Sequence, residues 1–185
     1  MRRSGSSLGR KSLPPACASA PFAAAQRIMG GQSAKRTYLV VVDDSEEARV
    51  ALRFAARRAA KTNGRVEIIG LVEPQDFVQW GSVQTAIEEE QRLRIEGIVS
   101  ASIGEILDEG GVESNIIVQH GEPAKTLRDY LANRDDVSAL VLGAAPSGNP
   151  GLLVASFCGN DAGKLPVPVM LIPGSLTDER LERLS

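Results

Sequence analysis

Five short apolar runs, alternating with segments of helical period, constrain this chain more than any other feature. Tyr38–Val42 (YLVVV) is a continuous apolar run of strand length, as expected for a strand buried on both faces. Val66–Val72 (VEIIGLV), Ser114–Gln119 (SNIIVQ), Ala139–Leu142 (ALVL) and Val167–Ile172 (VPVMLI) read as four more. After the first run, Ala48, Ala51, Leu52, Ala55 and Ala59 follow a helical stripe, with Arg49, Arg53 and Arg57 toward water. Asp44 is the expected N-cap of this helix, with Glu47 as its capping-box partner, and Gly64 the expected left-handed stop. A long connection with Phe77 and Trp80 leads to a second helix over about 85–108, buried through Ile95, Ile98, Val99, Ser102 and Ile106 and closed by Gly110-Gly111. A third helix opens with Pro123 at its first position and turns Ala124, Leu127 and Leu131 inward. Alternation of this kind gives an α/β fold: an open parallel five-stranded sheet with right-handed crossovers and helices on both faces.

Charge divides the chain. Residues 1–36 hold seven Lys/Arg and no acid, leaving 14 basic against 23 acidic residues, about −9, in the remainder. An acidic domain is a poor electrostatic partner for nucleic acid or an anionic membrane. No apolar run approaches the roughly 20 residues that span a bilayer. Residues 1–36 are expected to be a disordered basic tail or an over-extended start with Met29 as initiator, and they bear a weak likeness to a transit peptide. Residues 37–175 form the domain, and 176–185 a C-terminal tail or one short helix. Cys17 and Cys158 imply no disulfide framework, which suits the cytoplasm. With one histidine, His120, a histidine metal cluster is excluded, and no nucleophile, base and oxyanion donors converge. The sequence therefore predicts no catalytic residues, no metal site and no enzyme.

The order of these pieces resembles the universal stress protein family over residues 37–174. The resemblance rests on LVVVDDS before an Ala-rich helix, the VEIIGLV strand, the long second helix, HGEPAKTL at the turn into the third, and ALVLGA before a Gly-rich loop ending in PVPVMLIPG. It implies a sheet in the order 3-2-1-4-5, the adenine-nucleotide α-hydrolase-like variant of the Rossmann plan, with a ligand crevice where strands one and four part. It places Val41, Asp43 and Val72 on the adenosine side and Gly143 at the first glycine of a Gly-x2-Gly-x9-Gly-Ser/Thr phosphate pattern. It also implies a homodimer through strand five, with Val167, Val169 and Leu171 at the contact. ATP or AMP is the implied ligand, with Mg²⁺ only if ATP binds.

Here the chain departs from the family pattern. The second glycine falls on Pro146, which has no N–H for a phosphate. Gly148 and Gly151 are displaced candidates; counting from Gly148, the third position is Cys158, with Gly159 one step late and Asn160-Asp161 in place of a hydroxyl. Gly159 and Asn160 are the residues left to form an amide cradle.

Other motifs carry less. VVDDSEEAR resembles a response-regulator receiver, but strand three ends in Gln119-His120, without a phospho-accepting aspartate. Gly159–Lys164 has a superficial Walker-A look with the wrong spacer and no Ser/Thr. Asp43 and Asp44 also have a purely structural reading, as strand end and helix cap. The expectation is thus a dimeric stress-response binding module holding an adenine nucleotide or related ligand without turnover. The alternatives are a dimeric interaction protein with no nucleotide and, weaker, a slow ATP hydrolase.

Overall fold

The computed structural model describes residues 35–74, 81–108, 111–159 and 162–185. Phe77, Trp80, Asn160, Asp161 and the basic segment up to residue 34 lie outside these. The elements run β1 (Thr37–Val42), α1 (Glu46–Thr62), β2 (Arg65–Val72), α2 (Gly81–Asp108), β3 (Ser114–His120), α3 (Pro123–Ala132), β4 (Val137–Ala144), α4 (Leu152–Phe157), a 3₁₀ turn (Ala162–Lys164), β5 (Val169–Pro173) and α5 (Asp178–Leu184). All strands pair in parallel in the order β3-β2-β1-β4-β5. β1 is central, bonded to β2 from Thr37↔Arg65 to Val42↔Gly70, and to β4 from Tyr38↔Ala139 to Val40↔Val141.

Alternating side chains divide the core in two. Tyr38, Val40, Val66, Ile68, Ala139 and Val141 pack with α1, α2 and α5, whereas Leu39, Ile69, Leu140 and Leu142 pack with α3 and α4. Because β1 is covered on both faces, its sequence has no polar interruption.

Several local expectations shift. Ser45, not Asp44, caps α1: its Oγ accepts from the Ala48 N–H at 3.3 Å. The Asp43 carboxylate accepts from the Ser45 N–H at 2.9 Å and from its hydroxyl at 2.5 Å, so the cap begins one residue later and no Asp44–Glu47 capping box forms. Asp44 pairs with Arg94 of α2 instead. Asn63 rather than Gly64 takes the left-handed conformation after α1, with φ 51°. Arg53 and Arg57 are drawn out of water by α5, whose Asp178 and Glu182 they pair with. Ile95 and Ile98 are only half-buried, while Val99, Ser102 and Ile106 are buried as expected. The C-terminal segment is a helix because Leu181 is completely buried against the α1 face.

β5 begins at Val169, so Val167 precedes the strand. Pro166 and Pro168 lie before it, and the Pro168 carbonyl accepts the Leu140 N–H at 2.9 Å. The strand forms a sheet edge, where missing proline N–H groups cost little.

At the opposite end of the sheet from the carboxyl termini of the strands, charge is paired inside. Glu67 of β2 is buried and meets Arg134, which also holds Asp136 at 2.6 Å; Arg65 reaches the same aspartate. Tyr130 donates to Glu67, and burial followed by that hydrogen bond raises its phenol above the ordinary value.

Candidate functional site

A hollow of about 210 Å³ opens at the carboxyl ends of β1, β2 and β4. Its geometry follows from topology. After β1 the chain turns into α1 on one face, and after β4 toward α4 on the other, so the strand ends part and leave a crevice. β1 contributes Val41, Val42 and the following Asp43; α1 contributes its first turn through Glu47 and Ala48. Leu71 and Glu73 enter from the end of β2, Leu142 and Gly143 from β4. The segment from Pro150 to Val154 closes the far side, and Pro123 of α3 completes the wall.

Three of the sequence-predicted residues, Val41, Asp43 and Gly143, meet here. Val72 is buried and does not line the hollow, and its carbonyl accepts the Gly121 N–H at 3.0 Å. Parity explains this: Leu71 shares the α3/α4 face with Ile69, so Val72 turns to the other face with Ile68. Gly148 and Gly159 also stand outside the lining. His120 lies at the exposed end of β3, beside a separate open groove that reaches Lys125 and Tyr130.

Sequence reasoning missed Glu47, Leu71, Glu73 and the α4 residues Leu153 and Val154. Strand parity, applied from Val41 across the β1–β2 pair, points to Leu71 and Glu73. Glu47, expected as the capping-box partner of Asp44, lines the hollow instead.

Gly143 is present for packing. A Cβ there would lie 2.5 Å from the carbonyl carbon of Glu47 and 2.9 Å from the Ala48 nitrogen, so only glycine lets the first turn of α1 rest on β4. In the following loop Gly148 and Gly151 have φ of 78° and 109°, and the Gly151 N–H donates to Asn149 Oδ1 at 3.1 Å.

The electrostatics are one-sided. Asp43, Glu47 and Glu73 face the hollow, and no Lys, Arg or His is among its described lining residues. No three acidic, histidine or cysteine side chains among the described residues are grouped to hold a metal ion. One Asp43 oxygen is occupied by Ser45, and the other has no partner among the described residues. The site therefore offers an apolar floor, a hydrogen-bond acceptor and a negative potential. A second hollow of about 250 Å³ lies on the other side of Asp43, between α1 and α2, lined by Asp44, Leu52, Gly97 and Ser102 among others.

The sequence profile of the universal stress protein family matches residues 35–173. Among solved structures, the universal stress protein UspA from Lactobacillus plantarum is 16% identical with a TM-score of 0.64, covering 74% of this chain and 97% of its own. A universal stress protein from Archaeoglobus fulgidus in complex with dAMP is 21% identical, TM-score 0.54, over 75% of this chain and 97% of its own. A universal stress protein family protein from Arabidopsis thaliana with AMP bound is 14% identical, TM-score 0.53, over 78% and 94%. No curated protein sequence matches the chain.

Proposed function

Because the chain belongs to the universal stress protein family, we propose that it is a stress-response binding module whose β1/β4 crevice holds an adenine nucleotide or related ligand without turnover. The observation that carries this reading is the hollow itself, placed at the switch point of an open parallel sheet with Asp43 at its mouth. The acceptor oxygen of Asp43 suits a ribose hydroxyl, and Val41, Leu71 and Leu142 suit a flat ring. Val41, Asp43 and Gly143 are the proposed contacts that line the hollow, with Val72 behind them at the end of β2; the lining adds Leu71 and Glu73. The relatives solved with dAMP and AMP lend the ligand class. In support of binding without chemistry, the one histidine of the chain stands at the end of β3, away from the crevice. Mg²⁺ enters only with ATP. The cytoplasm is the proposed compartment; among the described residues no helix is long and apolar enough to cross a membrane.

Thermal unfolding of the full chain with adenosine, AMP and Mg-ATP tests the reading. A ligand at 100 times its dissociation constant adds roughly 2.7 kcal/mol. Stabilisation by at least one of them is expected; no shift with any adenine compound overturns it.

A second reading concerns assembly. Leu171 on edge strand β5 is 42% exposed, and Val169 beside it is half-buried. An apolar edge of this kind suits pairing with its mate in a homodimer. Sedimentation should find dimers at micromolar concentration and monomers for Leu171→Lys; a monomeric wild type rejects the interface.

A further inference from the structure

Resting on the binding reading above, we propose that the crevice takes the uncharged nucleoside and discriminates against each added phosphate, so that adenosine binds more tightly than AMP and AMP more tightly than ATP. The charge of the wall points this way first. Asp43, Glu47 and Glu73 converge on a hollow with no cationic side chain among its described lining. Nearby cations are committed elsewhere: Arg94 pairs with Asp44 beside the second hollow, and Arg49 with Glu46 on the outer face of α1. A phosphate brought among carboxylates with partly excluded water meets repulsion that bulk solvent only partly screens.

The backbone on the phosphate side gives the second, independent reason. A phosphate cradle needs several unspent N–H groups aimed at one point. Pro146 and Pro150 have none. The Gly151 N–H is given to Asn149, and the Ala145 N–H points to the Pro150 carbonyl at 3.4 Å. Among the described residues, the glycines that suggest a phosphate pattern have other duties, Gly159 included: a Cβ there would lie 2.6 Å from the Ala155 carbonyl oxygen. Gly143 admits the first turn of α1, while Gly148 and Gly151 supply positive φ for the turn. Among the described residues no three carboxylates are grouped to hold a metal ion by themselves, so any Mg²⁺ would arrive on the phosphates of ATP, and Mg-ATP is therefore tested beside ATP.

The sugar and base side is intact by contrast. Leu71, Leu142, Leu153 and Val154 supply apolar contact, and the Asp43 oxygen that has no partner among the described residues supplies an acceptor. A ligand that ends at its 5′-hydroxyl uses all of this and meets none of the repulsion.

Titration calorimetry of the full chain with adenosine, AMP, ATP and Mg-ATP tests the order. Affinity is expected to fall on the order of tenfold per phosphate. The gap between adenosine and ATP should narrow in Glu73→Gln, an exposed position whose change leaves the fold intact, and should narrow again as salt is raised. Circular dichroism and the unfolding midpoint confirm that the variant is folded. ATP or Mg-ATP binding as tightly as adenosine, or a gap untouched by both Glu73→Gln and salt, overturns the charge selection while the adenine-binding reading survives. Absence of binding by any of the four ligands overturns both.

Discussion

A Cβ on Gly143 would stand 2.5 Å from the carbonyl carbon of Glu47, so the end of β4 and the first turn of α1 are in direct backbone contact. Both residues line the crevice, and its shape therefore depends on this contact. Gly143→Ala should push α1 off the sheet, because the obstructing atoms are backbone and cannot rotate away. Overpacking of this sort costs about 1–3 kcal/mol, a fall in Tm of about 2–4 °C for each kcal/mol in a chain of this size. Ligand-induced stabilisation should weaken as well. A variant as stable as wild type would mean that the helix can yield freely.

The Glu67–Arg134 pair predicts a different effect. The Glu67 side chain is 3% exposed and that of Arg134 27%, with 3.0 Å between them. Removing the cation strands a buried carboxylate. Arg134→Met should cost about 3 kcal/mol. The double variant Glu67→Gln/Arg134→Met should be more stable than Arg134→Met alone, since a neutral amide can still accept from Tyr130. Urea unfolding of wild type, Glu67→Gln, Arg134→Met and the double variant gives the coupling directly; additive losses would show that the pair does not interact.

How much of this could be read from sequence depended on range. The five strands follow from apolar runs, which depend on neighbours in the chain; the central position of β1 and the crevice at Asp43 are what the family resemblance implies, and the sheet order agrees with it. The cap lies one residue beyond the expected position because Asp44 and Ser45 are both good capping types, and only the Asp43–Ser45 hydrogen bonds choose between them. Val72 comes from the resemblance, which matches the end of β2 by position; Leu71 and Glu73 come only from the parity of the β1–β2 pair. The Glu67, Arg134 and Asp136 network was invisible: its members are brought together by the sheet order, and a charged residue inside VEIIGLV looks like any exposed strand position. α5 is ambiguous in sequence because its seven residues carry too little period, and its one decisive contact, Leu181, lies against a helix more than a hundred residues earlier.

The same network sets an acid response. The Arg134 hydrogen bond holds the Asp136 carboxyl well below the usual range, against the opposing effect of burial, and Arg65 adds to it. Folded Asp136 therefore releases its proton more readily than the unfolded chain, where aspartate titrates near ~3.9. Its contribution is complete above that value and is lost as pH falls toward the lower folded one. Denaturation between pH 5 and 2 should show wild type losing stability more steeply than Asp136→Asn in this window. Parallel curves would assign the acid sensitivity to other carboxylates.

The docking of α5 gives the last prediction, because two kinds of contact compete to explain it. Asp178 and Glu182 pair with Arg53, Arg57 and Lys61, but their side chains are 62% and 64% exposed, where ion pairs contribute at most about 1 kcal/mol each. Leu181 is completely buried, and removing its side chain leaves a cavity against α1. Leu181→Ala should therefore cost about 2–4 kcal/mol, and Asp178→Asn less than about 1 kcal/mol. Hydrogen exchange should show the amides of α5 losing protection in Leu181→Ala and keeping it in Asp178→Asn. The reverse order, together with loss of α5 protection in high salt, would make the helix an electrostatic clasp instead.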